Sequence, residues 1–231
     1  MSLFIDGFSQ AIELLASGDP SVYSAITATL TVSSWSLAVS LILGMPLGFV
    51  LGYYNFLGKQ VIRTVVDTLL ALPTVVIGLI AYTLFSQSGA LGEFDLLFSL
   101  KAIAFGQIVL GLPIIVALTA AQVESVDKRL YPTLIGLGAT QKQVLLTTLS
   151  EVKFGLMTAA VAAYGRIVTE IGISMMVGGN IKYHTRTITT AIALETGKGE
   201  FTTGIALGMV LFIIALMVNI SLSALKRGWM R

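Results

Sequence analysis

The sequence predicts an all-α integral membrane protein, a bundle of about five transmembrane helices that forms one domain over residues 1–231. Composition is the first reason: 55% of the residues are hydrophobic and only 11% are charged, whereas a soluble domain carries roughly 25% charged residues. The mean hydropathy of +0.90 agrees with this. The second reason is a set of long stretches without charge, each long enough to cross about 30 Å of hydrocarbon as a helix. No repeat of 20 to 50 residues suggests an array.

The predicted spans follow these stretches. Residues 21–58 contain no Lys, Arg, Asp or Glu, and neither do residues 201–225. The fourth span is interrupted by two charged residues. We place the five spans at about residues 23–54, 64–86, 101–124, 154–178 and 202–226. Glycine and proline are expected to bend span one at Gly44, Pro46, Gly48 and Gly52, and to kink spans two and three at Pro73 and Pro113.

The distribution of basic residues indicates the orientation in the membrane. Nine lie in segments assigned to one side and four in segments assigned to the other. Because cytoplasmic segments carry the excess of Lys and Arg, the N-terminus is expected outside and the C-terminus in the cytoplasm. The nine are Lys59, Arg63, Lys128, Arg129, Lys142, Lys153, Lys226, Arg227 and Arg231; the four are Lys101, Lys182, Arg186 and Lys198.

The first twenty residues lack the basic region of a cleavable signal peptide. Their apolar residues recur at helical spacing, which predicts a short amphipathic helix on the outer surface. The apolar face of that helix would contain Phe4, Phe8, Ile12 and Leu15.

Motifs for catalysis are missing from the sequence. There is no H-E-x-x-H, no G-x-S-x-G and no phosphate-binding loop, and both Gly-Lys pairs, at Lys59 and Lys198, lack the hydroxyl that such a loop places on magnesium. Cysteine is absent, which removes thiolate nucleophiles and sulfur metal sites. A formal charge of +2 gives no sign of nucleic-acid binding. We expect neither an enzyme nor a bound cofactor or metal in this chain.

Residues 132–155, "PTLIGLGATQKQVLLTTLSEVKFG", are too polar for lipid and too regular for a loop. Tyr131-Pro132 is expected to start a turn. From Thr140 apolar residues recur at Val144, Leu145 and Leu149, which predicts an amphipathic helix of about ten residues. Such a helix is marginal alone and needs a surface to dock on, either its own bundle or a cytoplasmic partner.

A longer stretch, "GLGATQKQVLLTTLSEVKFGLMTAAVAAYGRIVTEIGISMMVGGN", resembles the coupling region of permease subunits of type I ABC importers, especially those for small oxyanions. Gly138-Ala139 matches the fixed glycine of that signature and its follower. The sequence departs from it with Pro132-Thr133-Leu134 and Ser150-Glu151. "LLALPTVVIGLIAYTLF" and "GLPIIVALTAAQVESVD" resemble the second and third core spans of the family, and "TRTITTAIALETGKGEF" resembles the outer loop of tungstate-type permeases.

The resemblance implies a single ABC transporter transmembrane domain in the plasma membrane. Its partners would be a second copy of the chain, two cytoplasmic ATPase subunits that hold ATP and magnesium, and an extracytoplasmic anion-binding protein. The cargo would be a tetrahedral oxyanion, most closely tungstate, with molybdate or another anion as the alternative. Coupling helices at about residues 127–149 would seat on the ATPase through Gly136, Gly138, Ala139, Thr140, Gln141 and Val144.

Arg166 and Glu170 lie within the fourth span. A charge deep in a span costs at least roughly 2.5 kcal/mol, so such residues face the bundle interior and find partners. Their i, i+4 spacing predicts an ion pair on one helix face. The pair either orients the span locally or lies at the subunit interface or pathway and changes partners during gating.

The pathway is expected to be mostly uncharged, because strong fixed cations would hold a dianion too tightly. Hydroxyl and amide candidates are Thr74, Ser174, Asn180 and Thr187. Three outer basic residues are candidates for docking the binding protein or belong to an ordinary solvated loop: Lys182, Arg186 and Lys198. His184 is expected to be solvated.

Two other classes of function are consistent with parts of the sequence. An ion channel or secondary transporter would share the apolar spans, but an odd number of spans does not divide into two inverted halves. A structural anchor would need only the cytoplasmic helix. Uptake that depends on ATP hydrolysis separates an importer from both.

Overall fold

A computed structural model describes the backbone of residues 2–228 and the side chains of residues 5–220. The described chain forms ten α-helices, one 3-10 turn at Gly92–Phe94 and no strand. The all-α prediction is therefore confirmed. In order, the helices are α1 (Ser2–Ala16), α2 (Pro20–Tyr53), α3 (Lys59–Leu70), α4 (Thr74–Phe85), α5 (Leu100–Glu124), α6 (Leu130–Gly136), α7 (Gln141–Val168), α8 (Gly172–Gly178), α9 (Ile188–Gly197) and α10 (Phe201–Gly228).

Four of these helices, α2, α5, α7 and α10, are long and apolar enough to cross a membrane. The pair α3 and α4 makes a fifth span if it is counted as one, although the two helices meet at 95°. Pro73 stands at the break. It has no N–H to donate, and it disfavours helical backbone at Leu72 before it. The kink predicted at Pro73 is thus a right-angle bend that ends one helix and begins another. By contrast, α5 continues through Pro113, and α2 continues through Pro46.

Span four also differs from the prediction. Helix α7 ends at Val168, and a separate helix α8 begins at Gly172, so residues 154–178 are not one helix. At its other end α7 begins at Gln141, so the predicted ten-residue helix is the first part of a 28-residue helix that enters the membrane. Tyr131 and Pro132 lie in the first turn of α6 rather than in a turn before it. Proline is tolerated there because the first N–H groups of a helix have no partner within it.

Small residues bring α2 and α5 close together. Gly44, Gly48 and Gly52 recur every four residues on α2 and face α5. A Cβ at Gly48 would lie 2.6 Å from the Val116 carbonyl oxygen and from Thr119 Cβ. Close backbone approach at small residues is a common way for membrane helices to associate. These glycines are therefore contact residues, and the bending predicted for them does not interrupt α2.

Helix α1 packs on α10 through its small residues, and Leu15 of the predicted apolar face is partly buried against the apolar core. A Cβ at Gly7 would lie 2.6 Å from Ile205 Cγ2, and Ala11 is buried. Phe8 and Ile12 are exposed. The side chain of Phe4 lies outside the described residues, as do Lys226, Arg227 and Arg231. The small face makes the contact because it allows the two backbones to approach.

Candidate functional site

The segment predicted to be cytoplasmic is a pair of helices, α6 and the start of α7, joined by a tight loop. Gly138 has φ +80°, a left-handed conformation that glycine adopts at little cost. Thr140 then caps α7: its hydroxyl accepts the N–H of Gln143, and the Gln143 side chain accepts the N–H of Thr140. This reciprocal capping box satisfies donors that the helix start leaves free. It fixes where the loop ends and α7 begins.

The predicted coupling residues are mostly at the surface. Gly136, Gly138, Thr140 and Gln141 are exposed, and Ala139 is half-buried. Val144 is the exception, with 1% of its surface exposed. The Val144 side chain is buried inside the protein, so it cannot contact a partner in this conformation. Contact of the other residues with an ATPase stays a prediction.

A cavity of about 810 Å³ lies beside this helix pair. Its lining includes Tyr53 and Lys59 from one side and Tyr131 and Gln141 from the other. Glu124, the last residue of α5, also lines this cavity. Its carboxylate forms ion pairs with Lys59, at 3.2 Å, and with Arg63. These contacts join α3 to the C-terminal end of α5. Sequence reasoning counted the two basic residues only for orientation and missed Glu124, although its place at the end of a charge-free window was a signal.

The predicted Arg166–Glu170 ion pair forms, with Arg166 Nη1 3.4 Å from Glu170 Oε2. Its setting differs from the prediction, because α7 ends at Val168 and Glu170 lies in the break before α8. The other carboxylate oxygen accepts the N–H of Ile173 at 3.0 Å. The Glu170 side chain is 2% exposed and the Arg166 side chain 47%. One partner is thus fixed in the protein, and the other reaches its surface.

Hydroxyl groups surround the same break. Thr189 donates to the Glu170 backbone carbonyl at 2.9 Å, which ties α9 to the break. Ser174 donates to the same carbonyl at 3.4 Å and is fully buried. Thr74, at the start of α4, points toward Gly172: a Cβ there would lie 3.1 Å from the Thr74 hydroxyl. The α4 start, the α7–α8 break and the α9 start therefore meet in one place. Sequence reasoning found Thr74 and Ser174 but not Thr189.

The loop between α8 and α9, predicted to lie on the outer side, is held by its own polar groups. Arg186 Nε donates to Asn180 Oδ1 at 3.1 Å, and the Asn180 amide donates to the Thr190 carbonyl at 3.4 Å. Thr187 is 2% exposed and caps α9. The buried Thr185 hydroxyl donates to the Gly178 carbonyl. In this conformation Ser174, Asn180 and Thr187 are occupied by local hydrogen bonds, and their pathway role stays a prediction.

The predicted docking residues have different surroundings. Lys182 is exposed, with its ammonium 5.0 Å from the ring centroid of Tyr183. Lys198 is exposed and pairs with Glu195 at 3.0 Å. Arg186 is half-buried and shapes the loop, as described above. His184 is exposed, as predicted. Lys182 and Lys198 are more accessible than Arg186, and docking stays a prediction for all three.

Most of the chain matches a known family of membrane proteins. Residues 44–230 match the family described as binding-protein-dependent transport system inner membrane component. The chain belongs to this family. The predicted membership among permease subunits of type I ABC importers is thereby confirmed, as is a multi-pass membrane protein. By family this permease is a transport subunit rather than a catalytic one.

Related permeases cover nearly the whole chain. The tungstate uptake system permease protein TupB of Campylobacter jejuni is 48% identical over 227 residues, which are 98% of this chain and 95% of that protein. The protein of the same name from Peptoclostridium acidaminophilum is 35% identical over 98% of this chain and 99% of its own length. A probable anion ABC transporter permease of Haloferax volcanii is 40% identical over 84% of this chain and 87% of its own.

Solved importer structures share the fold of this permease. A bacterial alginate ABC transporter, crystallised with a periplasmic protein that carries an alginate pentasaccharide, matches with a TM-score of 0.75 at 18% identity over 96% of this chain and 86% of that one. The methionine transporter MetNI in an inward-facing conformation matches with a TM-score of 0.72 at 18% identity, over 91% and 98% of the two chains. At this level of identity the likeness concerns the fold alone.

Proposed function

We propose that this permease is the transmembrane subunit of an ATP-driven importer that moves tungstate from an extracytoplasmic binding protein into the cytoplasm. The cargo is inferred from the relatives in Campylobacter and Peptoclostridium, which are tungstate uptake permeases by name. Two copies of the chain would enclose the pathway. Two cytoplasmic ATPase subunits would supply the energy and hold ATP and magnesium.

One observation carries the mechanism: α7 is a single helix from the exposed loop at Gly138 to the Arg166–Glu170 pair. At about 1.5 Å per residue its 28 residues measure about 42 Å, more than the thickness of the hydrocarbon core. An ATPase that moves the loop would therefore move the whole helix, because the helix has no break between its two ends. Alternating access by rigid-body motion needs such an element. The orientation follows, with the loop and the C-terminus in the cytoplasm and the N-terminus outside.

The partner contacts can be tested directly because the sequence has no cysteine. Thr140→Cys, on the exposed loop, is expected to crosslink to the ATPase subunit with a short bifunctional reagent. Lys198→Cys is the matched control, since it is also exposed but lies on the outer side in the proposed orientation. Crosslinking at residue 198 and none at residue 140 would reverse the orientation and remove the proposed coupling role of the loop.

Transport decides the function. The permease is reconstituted in liposomes with its ATPase and binding protein, and tungstate accumulation is measured with ATP and with a non-hydrolysable analogue. The proposal requires accumulation only with hydrolysis. Accumulation without hydrolysis would indicate a channel or a secondary transporter, and none at all would leave an anchoring role. Competition with molybdate and sulfate decides the anion; equal competition by sulfate would overturn the choice of tungstate.

A further inference from the structure

The exposed surface of α7 within the membrane differs from that of its neighbours. Between residues 152 and 168, all of which the structure describes, the exposed residues are Thr158, Ala162 and Arg166. They follow one another every four residues and so lie on one helix face. A Cβ at Gly165 beside them would have no neighbour within 4 Å. We call Thr158, Ala162, Gly165 and Arg166 the α7 polar face.

Lipid is a poor environment for this face. A guanidinium in hydrocarbon is costly, so an arginine in a span faces protein or water. The exposed residues of α10 show the contrast: Phe212 is 68% exposed and Leu216 47%, and both are large and apolar. Lipid suits those side chains. Protein or water would suit the α7 polar face. An aqueous pathway is the environment in which the exposed half of the Arg166 side chain stays accessible to an anion.

The two members of the ion pair are held unequally. The Glu170 carboxylate is buried and also accepts the Ile173 N–H at 3.0 Å, so it cannot follow the arginine. Arg166 meets it through one nitrogen at 3.4 Å, a long contact for a charge-assisted hydrogen bond, and almost half of its side chain is exposed. A guanidinium offers five N–H donors. It can turn toward an oxyanion while the carboxylate stays in place.

We propose that Arg166 is a direct contact for the transported oxyanion and that Glu170 is its fixed counter-ion, which keeps the anion's binding weak enough for release. An unpaired arginine in a narrow aqueous pathway with low-dielectric walls would hold a dianion strongly. A carboxylate next to it cancels most of that attraction, and conduction requires binding that is weak enough to reverse. The inference rests on the proposed function for the identity of the anion, not for the presence of the site.

Single cysteines test where the face lies. Ala162→Cys, one turn from Arg166, is compared with Leu216→Cys on α10 in membrane vesicles exposed on both sides to a small water-soluble methanethiosulfonate reagent. Thiolates react and form only where water reaches, so labelling at residue 162 is expected to be at least about tenfold faster. Equal, slow labelling at both positions would place the α7 polar face in lipid or in a dry interface and would overturn the proposal.

Protection by the anion tests the charges. Tungstate is expected to slow labelling of Ala162→Cys, and perrhenate, a monoanion of similar shape, to do so less. Adding Glu170→Gln should lower the protecting tungstate concentration about tenfold, since one neighbouring negative charge is removed. Adding Arg166→Gln should abolish protection, and Arg166→Lys should retain part of it. Protection that ignores both residues overturns the proposal. If the Arg166→Gln variant does not accumulate in the membrane, the Glu170→Gln variant alone decides. The proposal is overturned if the tungstate concentration that protects residue 162 is unchanged in that variant.

This labelling needs neither ATP nor the binding protein. Failure of ATP-driven uptake with intact protection would therefore remove the proposed function and leave the anion site. Intact uptake without protection would remove the anion site alone.

Discussion

The Gln141 amide donates a hydrogen bond to the Tyr131 hydroxyl at 3.2 Å and so joins α7 to α6 across the loop. Both side chains are exposed, where such a bond contributes only about 1 kcal/mol. The relative position of the two helices must then depend chiefly on the loop backbone. Gly138, with its positive φ, is the residue that sets this backbone.

Gly138→Ala should weaken coupling. An L side chain in the left-handed region costs about 1 kcal/mol or more, so the native loop should be populated about fivefold less. Substrate-stimulated ATP hydrolysis by the reconstituted complex should fall accordingly. Gly136→Ala is the control: Gly136 ends α6 with ordinary helical backbone, and its added Cβ also meets nothing within 4 Å. Equal losses in the two variants would mean that an added methyl group on this surface, and not the backbone conformation at residue 138, weakens coupling.

Glu124→Gln should weaken the contact between α3 and the C-terminal end of α5 and so lower the stability of the protein. It removes the ion pairs to Lys59 and Arg63. The carboxylate is 33% exposed, so we expect a loss of about 1 kcal/mol rather than the larger cost of breaking a buried pair. Thermal unfolding in detergent at low and high salt measures it, and the difference from the unmodified permease should shrink as salt rises. The exposed Glu151→Gln is the control, and a matching shift there would point to net charge instead.

Gly48→Ala should disturb the α2–α5 contact. The new Cβ would stand 2.6 Å from the Val116 carbonyl oxygen, and backbone cannot move away as a side chain can. Overpacking of this kind costs about 1–3 kcal/mol. Gly208→Ala on α10 is the matched control, because its Cβ meets nothing within 4 Å. Thermal stability and the monodisperse fraction in gel filtration should fall for residue 48 only.

Asp19 should stabilise the start of α2 in a pH-dependent way. Its carboxylate accepts hydrogen bonds from Ser21, side chain and backbone, and from the Val22 N–H, which hold the pKa of Asp19 below its ordinary value of 3.8. A lowered pKa means that this contribution is complete above pH 3.8 and is lost as the pH falls through the folded-state value. Asp19→Ala should cost about 1 kcal/mol at pH 7 and less at pH 3. Asp19→Asn keeps a capping oxygen and should lose the part of the pH dependence in melting curves that Asp19 contributes. An unchanged profile in Asp19→Ala would exclude this role.

The number of spans could be predicted from the sequence because the mean hydropathy of a stretch depends only on its composition. The direction in which each helix runs could not be predicted in this way. Residues 68–86 contain no charged residue, yet Pro73 turns the chain through 95°. The break after Val168 has no proline to announce it. It is held by Glu170, through the Ile173 N–H, and by the Thr189 hydroxyl, and the second of these contacts forms only when α9 has folded back.

The contact face of α1 shows a second limit. The sequence predicted the helix and its apolar residues but not which of its residues contact the bundle. Next to a membrane, lipid can cover Phe8 and Ile12, and the contact falls to Gly7 and Ala11, where backbones approach closely. The ion pair at Arg166 was predictable because its cost in a membrane does not depend on the fold. The exposure of one partner and the burial of the other were not.

Because α7 has no break, a displacement of one of its ends also moves the other end. A jointed segment would not transmit the displacement in this way. A stiff rod about 42 Å long, tilted by about 10° around its middle, moves each end by about 3.7 Å in opposite directions. That displacement is comparable to the width of a water molecule or a bare oxygen of the cargo. A tilt of this size would open or close a gap of atomic size at either end of the helix.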